Sequence, residues 1–448
     1  MGNDLRDKHV IVVGLGSSGV AAARLAQRLG ARVTANDAAT REKLSDDARA
    51  LEASGIALAV GGHASVSFAS ADLVVVSPGV PRLAALDEAE ARGVPVIGEI
   101  ELAWREVSRV PTAAIGGTNG KSTTTTLVGE MLSAAGWKTF TGGNLGTPLA
   151  ELALDAALPD ALVLEVSSFQ AERVPTFKPH AATILNVTDD HLDRYDSFDA
   201  YADAKGNMLV SMTEDDVVVV PHGDATTDRQ ARRSRATRWT FGVGADFEIT
   251  EASIVDHVSR RSYDRREIKL SGDHNALNAA ASIALATAMK APEAAIRAAL
   301  SAFEGLAHRI AFVRELDGVR YYDDSKGTNV GASVAALIGM REPRVVLIAG
   351  GRDKLGSYGP LADALARRGR GVVVIGEAAE KIAAATRPVV DTVAASDMRD
   401  AVQKARALAR PGDAVLLSPA CSSFDMFRDY KHRGDAFVEA VKSEGETA

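Results

Sequence analysis

The sequence predicts a three-domain α/β protein, because three regions of the chain alternate short apolar strands with helices. Two of these regions share one layout, in which a buried strand runs into a glycine-rich turn and then into a helix. The third region, from about residue 311, has four strands with helices between them and polar residues after the strands. A length of 448 residues also agrees with three domains of roughly 150 residues each.

Composition and charge narrow the class of protein. With 46% hydrophobic and 25% charged residues, the chain has the composition of an ordinary soluble globular protein. Lys and Arg number 51 against 59 Asp and Glu, and the formal net charge of −8 argues against a nucleic-acid partner. A single cysteine, Cys421, excludes a disulfide framework and favours a reducing compartment. Since no signal peptide or membrane-spanning stretch is visible, we expect a cytoplasmic protein without membrane insertion.

The first predicted domain, residues 1–105, has a Rossmann-like beginning. Val10–Val13 is predicted to be a buried strand, Gly14–Gly19 has the spacing G-x-G-x-x-G, and Val20–Leu29 is predicted to be a helix. A second strand, Ala31–Ala35, is followed by Asp37, an acidic residue about 20 positions after the motif. The motif indicates only that backbone can approach a phosphate or a sugar. An NAD-dependent oxidoreductase is therefore one interpretation of this domain.

The central predicted domain, residues 106–309, opens with a P-loop, the phosphate-binding loop of many ATPases. The apolar strand Thr112–Ile115 leads into Gly116–Ser122, and apolar residues then recur at helical spacing. Backbone N–H groups of such a loop and the positive end of the helix dipole bind phosphate oxygens. Lys121 is expected to contact the outer phosphates of ATP, and Ser122 to ligate Mg²⁺. The usual pattern would require glycine in place of Ile115, so a turn that merely starts a helix is the alternative.

Two further side chains of this domain, Glu165 and His191, are candidates for metal or phosphate contact. Glu165 lies in the apolar run Ala161–Val166, where a carboxylate is costly unless it is metal-bound or held in a structural ion pair. His191 follows the predicted strand Ala182–Leu185, at the edge of the sheet where α/β proteins place ligands, although a lone histidine is more often structural. Lys205 lies in a predicted helix, and the residues alone favour a surface lysine.

The C-terminal predicted domain, residues 310–448, has polar loops directly after three of its strands. The strands are predicted at 319–323, 344–349, 371–375 and 413–418. The loops are Asp323–Asn329, Gly350–Lys354 and Ser418–Phe427. Helix capping explains one such loop, but three of them at one edge of a sheet indicate a ligand site that faces the ATP-binding domain.

Together these motifs resemble the Mur ligases, ATP-dependent enzymes that form amide bonds in peptidoglycan synthesis. The run Gly117–Thr123 is similar to the shortened phosphate loop of that family, and the resemblance extends from Gly14 to Phe427. Four segments resemble the members that add D-glutamate. These are Leu164–Gln170, Asn186–Tyr195, Asp324–Asn329 and Leu417–Cys421. The resemblance implies a Rossmann-like C-terminal domain that binds the incoming amino acid, and we expect a monomer.

The resemblance implies a reaction in which ATP activates a carboxylate. The γ-phosphate passes to UDP-N-acetylmuramoyl-L-alanine to give an acyl phosphate, and the amine of D-glutamate then attacks. Because the reacting groups are anionic, Mg²⁺ and cationic side chains are needed to reduce their repulsion. By the resemblance, Ser122 and Glu165 hold a first Mg²⁺, and His191 with a carbamylated Lys205 holds a second. Lys121 completes the catalytic set formed with Glu165, His191 and Lys205.

The resemblance also implies binding roles, residue by residue. The residues implied for ATP are Gly117, Thr118, Asn119, Gly120, Lys121, Ser122, Thr123, Asn275, Asn278, Arg309, Asp324, Lys326 and Thr328. Those implied for the UDP-sugar are Leu15, Ser17, Ser18, Asp37, Ser77, Pro78, Gly79, Asn144 and His191. Those implied for D-glutamate are Lys354, Ser423 and Phe424. Helix capping is the alternative for Asn275. For the whole chain, a folylpolyglutamate synthetase and a non-catalytic nucleotide-binding scaffold are alternatives beside the oxidoreductase.

Overall fold

The computed structural model describes residues 4–191, 194–270, 272–353 and 357–444. It confirms the predicted three-domain α/β class, with sheets of five, nine and six strands in successive parts of the chain. The chain forms two compact units. The first contains the residues up to Val187, Asp199–Ile268 and Leu277–Phe303, and the second contains Thr188–Phe198, Lys269–Ala276 and the residues from Glu304 onward. The domain boundaries at 105/106 and 309/310 stay predictions.

The N-terminal sheet belongs to the first unit. Its strands are β1 (His9–Val13), β2 (Arg32–Asp37), β3 (Ala57–Val60), β4 (Leu73–Val76) and β5 (Val96–Gly98), and its helices are α1 (Ser17–Arg28), α2 (Asp46–Ala50), α3 (Ala84–Ala91) and α4 (Glu99–Val107). All pairs are parallel, in the order β3-β2-β1-β4-β5. Helix α1 begins three residues earlier than predicted, because only Gly14 needs a left-handed φ, +85°, and Gly16 already serves as the N-cap.

The central sheet also belongs to the first unit. Its strands are β6 (Thr112–Gly116), β7 (Thr139–Gly143), β8 (Ala161–Glu165), β9 (Ala181–Ile184), β10 (Val217–Pro221), β11 (Thr237–Gly242), β12 (Phe247–Ile249), β13 (Ser253–Asp256) and β14 (Arg261–Asp264). The helices of this region are α5 (Lys121–Ala134), α6 (Leu149–Leu152), α7 (Ser168–Ala171), α8 (Phe198–Gly206), α9 (Ala225–Ala231), α10 (Asp273–Ala288) and α11 (Glu293–Ala302).

The strand order of the central sheet, β14-β13-β12-β11-β10-β9-β6-β8-β7, determines which loops meet. Pairing is parallel except at the edge, where β12, β13 and β14 are antiparallel. Strand β6 is buried along its whole length and lies between β8 and β9. The carboxyl ends of these three parallel strands therefore bring the phosphate-binding loop together with the segments that follow β8 and β9.

The C-terminal sheet belongs to the second unit. Its strands are β15 (Ala311–Leu316), β16 (Val319–Asp323), β17 (Val345–Gly350), β18 (Gly369–Ile375), β19 (Asp391–Ala394) and β20 (Ala414–Leu417), and its helices are α12 (Val330–Gly339), α13 (Gly359–Arg368), α14 (Ala379–Thr386), α15 (Met398–Leu408) and α16 (Tyr430–Ser443). The four predicted strands are β16, β17, β18 and β20. The order is β15-β16-β20-β17-β18-β19, and only the β15–β16 pair is antiparallel. The three polar loops thus leave three adjacent strands.

Helices cover both faces of the C-terminal sheet, since separate apolar clusters form on its two sides. In the ranges that the structure describes, none of the helices has both the length and the apolar character needed to cross a membrane.

Candidate active site

The phosphate-binding loop joins β6 to α5, and two glycines determine its shape. Gly117 and Gly120 have φ angles of +131° and +86°, which favour glycine. A Cβ at position 120 would lie 2.3 Å from Oδ1 of Asn278, so no other residue fits there without a shift. Asn278, a predicted ATP residue, is therefore placed directly beside the loop.

Asn186, which follows β9, holds the phosphate-binding loop through backbone and side-chain hydrogen bonds. Its backbone carbonyl accepts a 2.9 Å hydrogen bond from the N–H of Thr118. Its side chain accepts from the N–H of Asn119 at 2.9 Å and donates to the Asn119 carbonyl at 3.1 Å. Asn186 was not among the predicted site residues. The available signal was an asparagine directly after a buried strand, where a side chain can bond to the neighbouring loop.

The amine of Lys121 lies against the loop that it follows. Its Nζ donates to the carbonyl oxygens of Gly117 at 2.9 Å and Thr118 at 2.8 Å. The next residue, Ser122, is buried in the first turn of α5. A cation and a hydroxyl are thereby held at a helix N-terminus, which is the arrangement that binds phosphate oxygens.

Lys205 is buried with 3% of its surface exposed, so the interpretation as a surface lysine is wrong. Its Nζ donates to the Gly117 carbonyl at 2.8 Å and lies 4.3 Å from the centre of the Tyr201 ring. The hydroxyl of Tyr201 is 3.2 Å from Oγ1 of Thr118. A carbonyl and an aromatic face can stabilise a buried ammonium, and here α8 supplies both the lysine and the ring.

Glu165 is the last residue of β8 and pairs in register with Ile115 of β6, directly before the phosphate-binding loop. Its side chain is buried, and its Oε1 accepts a 2.6 Å hydrogen bond from Nδ2 of Asn144. The backbone N–H of Asn144 also donates to the Glu165 carbonyl at 2.9 Å. The structure therefore brings Asn144 to Glu165, beside the strand that leads into the loop before Lys121.

A cavity of about 520 Å³ in the first unit lies at the carboxyl ends of the N-terminal strands and next to the loop after β7. Eight of the nine residues predicted for the UDP-sugar line it. These are Leu15, Ser17, Ser18, Asp37, Ser77, Pro78, Gly79 and Asn144. His63 and Gln170 also line the cavity and were not predicted as site residues. The volume is within the range of small-ligand sites, roughly 300–1,000 Å³.

The glycines of the N-terminal motif have different physical roles in this cavity. A Cβ at Gly19 would lie 1.7 Å from the Gly14 carbonyl oxygen, so this position must be glycine for α1 to approach β1. A Cβ at Gly16 would meet nothing within 4 Å, which leaves its backbone open towards the cavity. Ser77 closes the other side, since its hydroxyl donates to the Gly14 carbonyl at 2.7 Å.

The Asp37 carboxylate holds the glycine-rich turn. Oδ2 accepts from the N–H of Leu15 and Oδ1 from the N–H of Ala39, each at 2.7 Å. Beside it, Nδ1 of His63 lies 2.6 Å from Oδ1 of the buried Asn36. The Asp37 side chain thus holds the backbone of the glycine-rich turn, which forms part of the cavity wall.

His191 belongs to the second unit and has a left-handed φ of +56°. Its N–H donates to Oδ1 of Asp190 at 3.0 Å, and Nδ2 of Asn329 donates to Oδ2 of the same carboxylate at 3.2 Å. All three residues line a cavity of about 250 Å³ together with Tyr358 of the loop before α13. The loop after β9 and the loop after β16 therefore meet within the second unit. The predicted roles of His191 in metal and UDP-sugar binding stay predictions.

The loop after β16 contains a buried carboxyl group. Burial raises the pKa of Asp324 to about 7, against a lowering by the Ser418 hydroxyl and by the nearby charge of Arg309. The Ser418 hydroxyl donates to Oδ2 of Asp324 at 2.7 Å. Lys326 lies over the ring of Tyr430, with Nζ 3.9 Å from the ring centre. Tyr430, at the start of α16, was not predicted to belong to the site.

The other residues of the second unit that are predicted to bind a ligand lie at several different positions. The N–H of Thr328 donates to the Lys326 carbonyl at 2.8 Å, and Ser423 is buried after β20. Phe424 is 66% exposed, although it is a large apolar residue. Asn275 lies in the first turn of α10. Lys354 lies outside the described residues.

Comparison with known proteins gives matches along most of the chain. Residues 8–98 match the model of the Mur ligase MurD-like N-terminal domain, residues 115–286 the Mur ligase middle domain, and residues 308–421 the Mur ligase glutamate ligase domain. The UDP-N-acetylmuramoylalanine–D-glutamate ligase of Desulfosudis oleivorans is 43% identical over 447 residues, which cover 98% of this chain and 97% of the relative. That of Geobacter metallireducens is 43% identical over 453 residues, 99% of each chain.

Solved structures resemble the fold of the chain. The UDP-N-acetylmuramate-alanine ligase of Thermotoga maritima aligns with a TM-score of 0.61 at 21% identity, covering 97% of this chain and 99% of that one. The MurF ligase of the same organism, in complex with ADP, aligns with a TM-score of 0.60 at 18% identity, covering 98% and 96%. At this identity the structural likeness concerns the fold alone.

Proposed function

The chain belongs to the Mur ligase family, and we therefore propose that it is an ATP-dependent ligase that joins D-glutamate to UDP-N-acetylmuramoyl-L-alanine in peptidoglycan precursor synthesis. The observation that carries this proposal is the position of Asn144, which lines the 520 Å³ cavity and binds Glu165 beside the phosphate-binding loop. A substrate in the cavity can thereby present its carboxylate where ATP phosphates bind. Family membership leaves no place for the NAD-dependent oxidoreductase.

In the first half-reaction, a carboxylate oxygen of the UDP-linked substrate attacks the γ-phosphorus of ATP. The new O–P bond forms as the bond to the β,γ-bridging oxygen breaks, and ADP leaves. Both partners are anions, so the barrier contains a repulsion that the site must reduce. We propose that the Lys121 ammonium and the N–H groups at the start of α5 do this, because both lie at the phosphate-binding loop, where Nζ of Lys121 donates to the loop carbonyls of Gly117 and Thr118.

In the second half-reaction, the unprotonated amine of D-glutamate attacks the carbonyl carbon of the acyl phosphate. The tetrahedral intermediate collapses with cleavage of the carbon–oxygen bond, inorganic phosphate leaves, and the nitrogen loses a proton as the amide forms. A free carboxylate is a poor electrophile, so phosphate is needed as the leaving group. We propose that Lys354, Ser423 and Phe424 bind D-glutamate, the last through its backbone.

The residues near the loop fit a magnesium ion. Glu165 supplies a buried carboxylate and Ser122 a buried hydroxyl, and both are oxygen donors of the type that Mg²⁺ prefers. Over the described ranges, no group of three or more His, Cys, Asp or Glu side chains is arranged to hold a metal. That agrees with Mg²⁺, which commonly takes one or two carboxylates together with substrate phosphates and waters. Bound there, Mg²⁺ would neutralise phosphate charge.

A second Mg²⁺ held by His191 and a carbamylated Lys205 is part of the proposal. Carbamylation joins the unprotonated Nζ to CO₂ with loss of one proton, which converts a cation into an anionic oxygen ligand. The modified nitrogen keeps one N–H, and the Gly117 carbonyl at 2.8 Å can still accept it. The burial of Lys205 supports this step, because a carbamate is protected when bulk water and acid are excluded.

The other binding roles are proposed as predicted, with Asn275, Asn278, Arg309, Asp324, Lys326 and Thr328 for ATP. We also propose a cytoplasmic monomer, since ATP and a UDP-linked precursor are its substrates and Cys421 is a buried, free thiol. Size-exclusion chromatography with light scattering tests the monomer, and a mass near 46.9 kDa is expected.

The function is tested by phosphate release from ATP with Mg²⁺ and UDP-N-acetylmuramoyl-L-alanine. D-Glutamate, L-glutamate, D-alanine, L-lysine and meso-diaminopimelate are added in parallel. Release that requires both the nucleotide sugar and D-glutamate is expected. Release with another amino acid only would keep the chemistry and overturn the proposed acceptor, and no release with any of them would overturn the ligase assignment.

A further inference from the structure

Arg433 is a fully buried arginine in the first turns of α16, with 1% of its surface exposed. Arginine is almost never fully buried unless its donors are satisfied, because desolvation of the guanidinium is costly. Burial lowers the pKa of Arg433 to about 10, which still leaves it charged near neutral pH. Because burying this charge costs desolvation free energy, its hydrogen-bond partners must compensate for that cost.

The guanidinium donates to three separate loops. Nε donates to the Ser325 hydroxyl at 3.0 Å, and one terminal nitrogen, Nη2, donates to the Ser325 carbonyl at 2.8 Å. The other, Nη1, donates to the Cys421 carbonyl at 3.0 Å and to the Gly350 carbonyl at 3.5 Å. All of these acceptors are neutral oxygens, and three of the four belong to the backbone. Arg433 therefore acts through hydrogen bonds, mostly to backbone carbonyls, more than through pairing with carboxylates.

The three acceptor residues lie at the carboxyl ends of three adjacent strands. Ser325 follows β16, Cys421 follows β20, and Gly350 ends β17, in a sheet where β20 lies between the other two. A planar group with five donors can contact three strand ends at once, whereas the ammonium of lysine is a compact point charge on a flexible stem. The sheet therefore presents its three polar loops in a geometry that depends on one side chain.

The same helix contacts the loop after β16 a second time. The Ser325 hydroxyl donates to the Tyr430 carbonyl at 2.8 Å, and the Tyr430 ring lies under the Lys326 ammonium. The start of α16 thus determines the position of the loop that contains Lys326. The loop after β20 contains Ser423, a proposed D-glutamate ligand, only two residues from the Cys421 carbonyl that Arg433 binds.

We propose that Arg433 is a positioning residue for D-glutamate, which holds the loops after β16, β17 and β20 in the arrangement that binds the amino acid; this role rests on the proposed function. Arg433 does not itself need to touch the substrate. A purely structural arginine would instead support the stability of the C-terminal domain without a specific effect on amino-acid binding.

The test is Arg433→Lys in the full-length protein, which keeps the charge but cannot reach all three loops. The KM for D-glutamate is expected to rise by about 10-fold or more, while the KM for the UDP-linked substrate stays within about twofold. The matched control is Arg370→Lys. Arg370 forms a bidentate ion pair with Asp413 at the amino ends of β18 and β20, at the opposite edge of the same sheet, and both KM values should stay near wild type.

Hydrogen exchange without substrates tests the positioning independently of the reaction. In Arg433→Lys, the amides of the loops at 323–329, 350–353 and 418–424 should all exchange faster, while those of the N-terminal sheet are unchanged. If wild type shows no D-glutamate-dependent release, the proposed function fails, but this exchange pattern still supports the tie between the loops. Unchanged exchange in the three loops overturns the proposal, and so does an unchanged KM for D-glutamate in an active enzyme.

A second variant keeps the test decisive if Arg433→Lys does not fold. Ser325→Ala removes one acceptor of Arg433 and leaves the guanidinium in place. A raised KM for D-glutamate with faster exchange in the loop at 323–329 supports the proposal, and wild-type values of both overturn it.

Discussion

Nδ2 of Asn144 donates a 2.6 Å hydrogen bond to Oε1 of Glu165, and this contact joins the two halves of the candidate site in the first unit. Asn144 lines the cavity formed with the N-terminal sheet, and Glu165 ends the strand next to the phosphate-binding loop. Substitution of either residue should therefore weaken both substrate binding and metal binding.

Asn144→Ala should reduce kcat and raise the Mg²⁺ concentration needed for half-maximal activity, each by roughly 10- to 100-fold, because the carboxylate of Glu165 loses the donor that orients it. The measurement is phosphate release as a function of Mg²⁺. Asn207→Ala is the matched control, since its side chain accepts a 2.7 Å hydrogen bond from Nη2 of Arg233 at the protein surface. A normal Mg²⁺ dependence in Asn144→Ala would contradict the link between the two residues.

Lys121→Ala should lose at least about 100-fold in kcat, because removal of one preorganised group that stabilises transition-state charge costs on the order of 10²–10³. Single-turnover phosphate release measures this loss. Lys138→Ala, at an exposed position near β7, should keep wild-type activity. Equal activity of the two variants would show that Lys121 does not contact the transferred phosphate.

Wild-type protein in ¹³CO₂-enriched buffer should show one ¹³C carbamate resonance that is missing in Lys205→Met. The reason is that Lys205 is buried beside the Gly117 carbonyl, where a carbamate would be both hydrogen-bonded and protected from water. A spectrum without any such resonance in active wild-type enzyme would contradict carbamylation. A resonance that persists in Lys205→Met would assign it to another lysine.

Asp37→Ala should raise the KM for the UDP-linked substrate by about 10-fold while kcat stays within about twofold, because the turn at Leu15 loses a charged acceptor of its N–H. Steady-state kinetics with D-glutamate saturating measure both constants. Asp72→Ala is the control, since Asp72 likewise accepts a backbone N–H, that of His9, but at the amino end of β1. A raised KM in the control as well would indicate a general loss of structure.

The free energy of unfolding should depend on pH partly through Glu99, a buried residue at the start of α4. Burial raises its pKa from 4.5 to about 7, although the N–H groups of Ala150 and Leu149 donate to it and lower the pKa. The folded state therefore holds this proton more tightly than the unfolded chain. The stabilisation by Glu99 is complete below about pH 4.5 and is lost as the pH rises through 7.

Glu99→Gln cannot release a proton, so its free energy of unfolding relative to wild type should rise by up to about 3 kcal/mol from about pH 5 to pH 8. Urea unfolding at several pH values measures this difference. Glu88→Gln, which changes an exposed glutamate that pairs with Arg92, is the control, and an equal rise in this variant would show that the effect does not come from the burial of Glu99. A flat difference for Glu99→Gln would mean that the carboxyl group ionises normally.

Local backbone requirements made much of the fold and the phosphate-binding loop predictable. Gly117 and Gly120 adopt left-handed φ angles that few other residues tolerate, and Gly19 avoids a clash with the Gly14 carbonyl. Such constraints act over a few residues, and they can therefore be recognised from the residue types at those positions. Apolar runs such as Val10–Val13 have the same advantage, because burial on both faces of a parallel sheet requires a continuous apolar segment.

The sequence by itself thus determined the α/β class, the two glycine-rich turns and the side chains that follow the strands. Only the tertiary structure decided that Lys205 is buried, that Asn144 binds Glu165, and that Arg433 joins three loops. These relationships connect residues 21 to 108 positions apart, and they depend on strand order and on which face of a helix is covered. Neither the order nor the face is encoded in local periodicity, because both follow from packing between distant segments.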